Sequence, residues 1–294
     1  MVARVAIIGA GGMGAWFARF FKSRGDSVIV SDRDPDRAKS LAMRIHAKCS
    51  PSNADAARGS DIVLLAIPAN ATSEVIKEIL PVLHKNALIC EISATKSVVM
   101  PALRSAEKRG VKVASIHPMF GPLAHGIRER RIIAIRTGKD TRGYKAMKRL
   151  LQGTHFLLTD HGIHDKRVAL TLGLPHFLNM AFAMTLSKRR DLAEIRRFAG
   201  RTFNLQMLLA EAIADEPETI ADIQISNKEF PRVLRDLQRD IRSLARIVNE
   251  QDRNKLVARY KKIRRSLSTE PEFRLARTTF EKVTEAQSTI SRAK

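Results

Sequence analysis

The chain is poor in aromatic residues and in acids. Aromatics make up 5% of its 294 residues, with a single tryptophan, and 30 Asp and Glu stand against 52 Lys and Arg, a formal net charge of +22. Cysteine is scarcer still. Cys49 and Cys90 are the two present, too few for a disulfide framework and without the spacing of a metal site. They are expected as reduced, mostly buried thiols in a cytoplasmic protein. Long apolar runs are also missing: the longest, such as 62–68, fall far short of the ~20 residues a membrane span takes. The chain enters a strand-like run at 5–8 without a charged leader, so neither a secreted nor a membrane-spanning protein is expected.

The basic excess invites a nucleic-acid reading. Nucleic-acid binders often gather charge in a stripe, arm or tail and interleave aromatics on which bases stack. Here residues 1–160 carry 26 basic and 13 acidic side chains, and residues 161–294 carry 26 and 17. The excess is therefore spread over both halves, and the short clusters at 128–131, 188–190 and 261–265 read as solvated helix faces. Nucleic acid is not expected as a partner. A positive field that draws in a small anionic substrate accounts for the same charge.

What is present is the balance of a chain with a core, 44% apolar and 28% charged, at a length that suggests two units. Up to about residue 100, short β-branched runs at 5–8, 28–30, 61–67 and 87–92 alternate with helical stretches at 12–23, 35–47 and 71–83. Further strand-like runs follow at 111–116, 132–136 and 155–158. Strands that are apolar throughout and separated by helices predict a doubly wound α/β domain with a parallel sheet covered on both faces, spanning 1–160. Helical periods then dominate, near 164–188, 190–214, 217–249 and 252–267, and predict an all-α domain over 161–294. Pro217 suits a helix start, whereas Pro231 is expected to end or kink a helix. The tail after Thr269 has no assignment.

Gly9-Ala10-Gly11-Gly12-Met13-Gly14 lies between the first strand and the first helix. Gly9 allows the tight turn, Gly11 lets the backbone approach a pyrophosphate, and Gly14 lets helix and strand pack closely. The helix N-terminus then offers free N–H groups to phosphates. Asp32 stands 18 residues beyond Gly14 at the end of the second strand, where a carboxylate accepts from ribose hydroxyls. It favours NAD, while Arg33 beside it is what an NADP site would use, so both cofactors stay open. Ile67 and Pro68, closing the third strand, complete the cofactor edge.

Ile116-His117-Pro118-Met119-Phe120-Gly121-Pro122 ends a predicted strand, and in such sheets ligands lie outside the carboxyl ends of strands. A histidine there is placed to take a hydroxyl proton as hydride leaves. The turn of two prolines and a glycine fixes its direction.

Together these motifs resemble the prephenate/arogenate dehydrogenases of tyrosine biosynthesis. The His-Pro-Met-Phe-Gly-Pro hexapeptide is the most specific part. Further matches are His164-Asp165-Lys166, Leu174-Pro175-His176-Phe177, and Asp215-Glu216-Pro217 leading to Ala221-Asp222-Ile223. The resemblance covers about residues 4–267. It implies a Rossmann domain followed by a helical dimerisation domain, hence a homodimer, and an NAD(P)-dependent oxidative decarboxylation of a cyclohexadienyl acid. It further implies that His117 is the catalytic base, with Lys96 catalytic beside the cofactor, and that Ser93, Thr95 and His176 meet the substrate.

Two positions depart from the family pattern. Its serine two residues before the lysine falls on Ala94, and its carboxylate-binding arginine six residues before Pro217 falls on Glu211. Losing a bidentate partner matters. Arg201, Arg128 and Arg131 are the candidate replacements; otherwise the substrate differs. A 3-hydroxyacid dehydrogenase would carry a lysine within 173–183, which has none. A dinucleotide-sensing protein that has lost its substrate site is the non-enzymatic reading.

Overall fold

The computed structural model describes residues 2–292. Its first half runs β1 (Arg4–Ile8), α1 (Gly12–Ser23), β2 (Ser27–Ser31), α2 (Pro35–Arg44), β3 (Lys48–Cys49), α3 (Asn53–Ala57) and β4 (Ile62–Leu65). It continues through α4 (Thr72–Ile79), β5 (Leu88–Glu91), α5 (Met100–Lys108), β6 (Lys112–Pro118), β7 (Arg131–Ile135), α6 (Arg142–Leu150) and β8 (His155–Thr159). These strands form one sheet in the order β3-β2-β1-β4-β5-β6-β7-β8. Reversal of strand order on either side of β1 is the doubly wound plan, and it leaves a crevice at the carboxyl ends of β1 and β4.

Every residue of β4 and β5 is buried, as expected of strands covered on both faces. Alternation sends successive side chains to opposite layers. Val5 and Ile7 join Trp16, Phe17, Phe21 and Leu41 on one side, while Ala6 and Ile8 join Ile76, Ile79 and Leu103 on the other. The sheet is mixed rather than wholly parallel, because β7 pairs antiparallel with β6. No helix separates those two strands, so the chain returns directly alongside. Cys90 is buried as expected, but Cys49 on the short edge strand β3 is exposed.

The helical half comprises α7 (His161–Val168), a π-helical turn (Ala169–Gly173), α8 (Leu174–Ser187), α9 (Leu192–Arg197), α10 (Arg201–Ala214) and α11 (Pro217–Ser226). After these come α12 (Phe230–Asn249), α13 (Arg253–Leu267) and α14 (Phe273–Arg292), the last formed by the tail left unassigned above. The helix expected over 190–214 is two helices, with extended Gly200 as the N-cap of the second. The helical stretch expected over 217–249 is interrupted at 227–229, just before Pro231, which is the second residue of α12, where its missing N–H costs nothing.

Two compact units result. One is the chain up to Gly173 together with Glu218–Phe230; the other is Leu174–Pro217 with the chain from Pro231 onward. The sheet-bearing unit thus takes in α7 and α11, beyond residue 160. From His161 to Ser187 the helix is long and apolar enough to cross a membrane by length and composition, a feature that counting uninterrupted apolar runs overlooks. Several of its polar groups are nonetheless met by protein. His164 and Asp165 are buried within the first unit, and Asn179 accepts from Gln206 of α10 within the second.

Candidate active site

The glycine turn is shaped by what surrounds it. Gly9 has φ +101°, and a Cβ there would lie 2.2 Å from the Ala66 carbonyl oxygen. At Gly14 a Cβ would come within 1.9 Å of the Gly9 oxygen, so helix and turn meet backbone to backbone. Gly11 is different: nothing lies within 4 Å of its missing Cβ. Its openness is useful to a ligand rather than required by the fold. The first turn of α1 has no side-chain cap and no acid, leaving its N–H groups and the positive end of the helix dipole for an anion. Asp32 accepts from the amide of Ala10 at 2.6 Å and of Asp34 at 2.9 Å, which ties the end of β2 to the glycine turn. Arg33 and Pro68 are exposed, while Ile67 is half-buried beside Gly9. These residues fit the pyrophosphate and ribose of a dinucleotide.

The loop after β6 closes over the same helix. Trp16 donates from its indole to the Ala124 carbonyl at 2.8 Å, and its ring lies 4.8 Å from that of Phe120. Gly12 sits under Pro122, whose ring carbons would be 3.0 Å from any Cβ added there. The glycine motif and the hexapeptide are thus in direct contact.

Beneath them lies a buried ionic cluster. Lys96 and Glu91 are 0% and 1% exposed. The Lys96 ammonium donates to Oε1 of Glu91 and to the Ile116 carbonyl, each at 2.7 Å. Ser115 donates to the same Glu91 oxygen, and Ser93 donates from Oγ (2.6 Å) and from its amide (2.9 Å) to the other. Burial lowers the Lys96 pKa, and the adjacent Glu91 charge opposes that shift. Burial and Glu91 together push the Cys90 thiol up, which keeps it protonated. Lys96 was expected to touch the reacting molecules. Its ammonium is enclosed on Glu91 and Ile116, and these contacts hold the strand end carrying His117. Ser93 likewise turns toward Glu91, and Thr95 is buried.

His117 projects from the end of β6. Its Nδ1 lies 3.0 Å from Nε2 of His164, and Nδ1 of His164 lies 2.8 Å from Oδ1 of Asp165. Asp165 also accepts from the amides of Lys96 (2.9 Å) and Ser97 (2.7 Å). Its carbonyl accepts from Asn227 at 2.9 Å. Burial alone would raise the Asp165 carboxyl, but bonds from His164, Ser97 and the Lys96 amide prevail and bring it down to about 2. His117 is held well below the usual imidazole range, first by burial and then by the charge of Lys96. A neutral imidazole with Nε2 not engaged by His164 can take a proton from a hydroxyl.

The remaining expected residues lie in the helical unit. His176 on α8 has a buried Nδ1 without a partner among the described residues, and burial lowers its pKa. Glu211 forms an exposed ion pair with Arg196. Arg201, a candidate substitute base, is instead paired with Glu281. Glu91 and Ser115 escaped sequence reasoning. An acid ending the apolar strand Leu-Ile-Cys-Glu was the available signal.

Comparisons with known proteins agree with this architecture. The family "Prephenate dehydrogenase, nucleotide-binding domain" matches residues 17–132, and "Prephenate dehydrogenase, dimerization domain" matches 160–262. A probable arogenate/prephenate dehydrogenase of Methanocaldococcus jannaschii is 30% identical over 260 residues, covering 86% of this chain. The chain spans 58% of that relative's length. A cyclohexadienyl dehydrogenase of Zymomonas mobilis is 27% identical over 290 residues, covering 92% of this chain and 98% of the relative. Among solved structures, prephenate dehydrogenase from A. aeolicus in complex with hydroxyphenyl propionate and NAD+ superposes with a TM-score of 0.72 at 20% identity, covering 92% of this chain and 99% of that one.

Proposed function

The chain belongs to the prephenate dehydrogenase family, and from that premise we propose that it oxidises and decarboxylates prephenate to 4-hydroxyphenylpyruvate in tyrosine biosynthesis. In this reading residues 1–160 bind the dinucleotide, and residues 161–294 contribute substrate contacts and the surface of a cytoplasmic homodimer. The observation that carries it is His117, neutral and fixed at the strand end, beside a glycine turn and helix N-terminus suited to a dinucleotide.

Bound at Gly9, Ala10, Gly11, Gly12, Met13, Gly14 and Asp32, NAD supplies the hydride acceptor. Asp32 supports NAD over NADP, since its carboxylate would repel a 2′-phosphate. The ring hydroxyl gives its proton to Nε2 of His117 as the geminal hydrogen leaves as hydride. The bond to the ring carboxylate then breaks, CO2 departs, and the electron pair aromatises the ring. The phenolate oxygen recovers the proton from Nε2, so no net proton is released. Ser93, Thr95 and His176 are proposed substrate contacts, and Arg128 and Arg131 are the candidates left to meet the ring carboxylate, Arg201 being paired with Glu281. Arogenate has the same ring and suits the same base.

The test is product identity. Purified protein with NAD+ and prephenate is expected to yield NADH, CO2 and 4-hydroxyphenylpyruvate in equal amounts. Turnover of arogenate alone would move the substrate to the amino acid. Reduction of neither cofactor with either acid, while NAD+ still binds, would leave the sensing role.

A further inference from the structure

The row Asp165–His164–His117 sets where protons sit. Asp165 is a carboxylate that already accepts two backbone amides, so it has no proton to offer and Nδ1 of His164 must donate to it. A neutral imidazole has one N–H. Nε2 of His164 is therefore an acceptor, and Nδ1 of His117, 3.0 Å away, must donate. The lone pair of His117 then lies on Nε2, against the ordinary preference of histidine for a proton on that nitrogen.

We propose that His164 and Asp165 are positioning residues that hold His117 as its Nδ1–H tautomer, with Nε2 as the base, and that offset the positive charge His117 acquires when it takes a proton. The tautomer stands on geometry alone. The kinetic consequence rests on the dehydrogenase reading above.

The surroundings explain the need. The charged and titratable groups that act on His117 are Lys96, His164 and Asp165, with Glu91 bonded to Lys96. The Lys96 charge lowers the His117 pKa, and Asp165 is the group whose charge raises it. Glu91 is spent on Lys96, Ser93 and Ser115. During turnover the proton enters and leaves at Nε2, while the Nδ1–H bond to His164 strengthens as a charge-assisted contact. Both His164 and Asp165 are buried, so water does not compete for the chain of bonds. The same carboxylate secures the amides of Lys96 and Ser97, which couples this row to the ionic cluster under the loop.

The test uses the full chain labelled with 15N-histidine and long-range 1H–15N spectra, with His117 assigned by its loss in His117→Asn. At neutral pH His117 is expected to show a protonated Nδ1 and a bare Nε2. His164→Leu removes the acceptor and is expected to return His117 to the Nε2–H form. His164→Gln, whose amide oxygen reaches the place of Nε2, is expected to preserve the Nδ1–H form. Because Asp165 also holds two loop amides, the His164 pair rather than Asp165→Asn carries the test. In turnover with NAD+ and prephenate, kcat is expected to fall about 100-fold in His164→Leu and about 10-fold in His164→Gln, within the range of general-base and positioning effects. The acid limb of kcat/KM should also move to lower pH in His164→Leu, since the imidazolium loses its acceptor. A proton on Nε2 of His117 in the unaltered protein, or a tautomer indifferent to His164→Leu, would overturn the proposal. The expected tautomers without turnover of prephenate or arogenate would instead remove the dehydrogenase reading and leave this inference standing.

Discussion

The Nζ atom of Lys96 lies 2.7 Å from the carbonyl oxygen of Ile116, one residue before His117. The same ammonium reaches Glu91 at 2.7 Å, so the loop after β5 and the end of β6 are fastened together inside the protein. The direction of His117 is inherited from this attachment. Removing one member of a buried ion pair leaves the other charge uncompensated, at a cost of roughly 3–5 kcal/mol. Lys96→Met is therefore expected to lose about that much stability in urea unfolding. Lys96→Met with Glu91→Gln should recover part of it, because the glutamine oxygen can still accept from Ser93 while its amide donates to Ser115 Oγ, without a stranded charge. Equal instability in the single and double variants would mean that the pair is not coupled.

Gly11 and Gly14 separate folding from cofactor binding. A Cβ at Gly14 would overlap the Gly9 oxygen, whereas Gly11 faces open space. Gly14→Ala is expected to lower the melting temperature sharply. Gly11→Ala should leave stability within about 0.5 kcal/mol yet weaken NAD+ binding by roughly 10-fold, the cost of about 1.4 kcal/mol of lost approach. Calorimetric titration and thermal melts on the two proteins check this.

The motif residues were legible because their constraints are local. Glycines at fixed spacing behind a strand, an acid at the end of the next strand, and a histidine held by prolines each carry their chemistry in neighbouring positions. The ionic cluster was not legible in the same way. Glu91 reads as the edge of an apolar strand and Lys96 as a surface base until five residues of loop fold one onto the other. The link from His164 to His117 spans 47 residues, and nothing in the spacing announces it. The break near Gly200 was missed because helical periodicity continues through it. The helix after Thr269 was missed because its basic, weakly apolar sequence gives little contrast.

Stability is expected to respond to acid in two stages. His117 and His164 have folded pKa values below their ordinary 6.5, so the unfolded chain takes up protons first and stability falls as pH drops below about 6.5. Asp165, at about 2 against an ordinary 3.8, contributes about 2 kcal/mol above pH 4 that is lost as pH falls from 3.8 toward 2. Urea midpoints between pH 8 and 3 measure both. His117→Asn should flatten the upper stage, and a profile unchanged by that substitution would contradict the assignment.

Trp16 is the single tryptophan and is bonded to the loop that follows His117. Its fluorescence should therefore report on that loop when NAD+ binds. Phe120→Ala removes the ring contact and is expected to shift Trp16 emission to longer wavelength, with a loss of stability of about 1–3 kcal/mol. Unchanged emission would mean that the loop does not cover the indole in solution.

In the proposed mechanism His117 is the base of a dehydrogenase built on this sheet. The most direct measurement is NADH formation from NAD+ and prephenate by the unaltered protein and by His117→Asn, with NAD+ affinity measured on both. Turnover is expected in the first, with a loss of at least 100-fold in the second and equal affinity for NAD+. Turnover that survives in His117→Asn would contradict it.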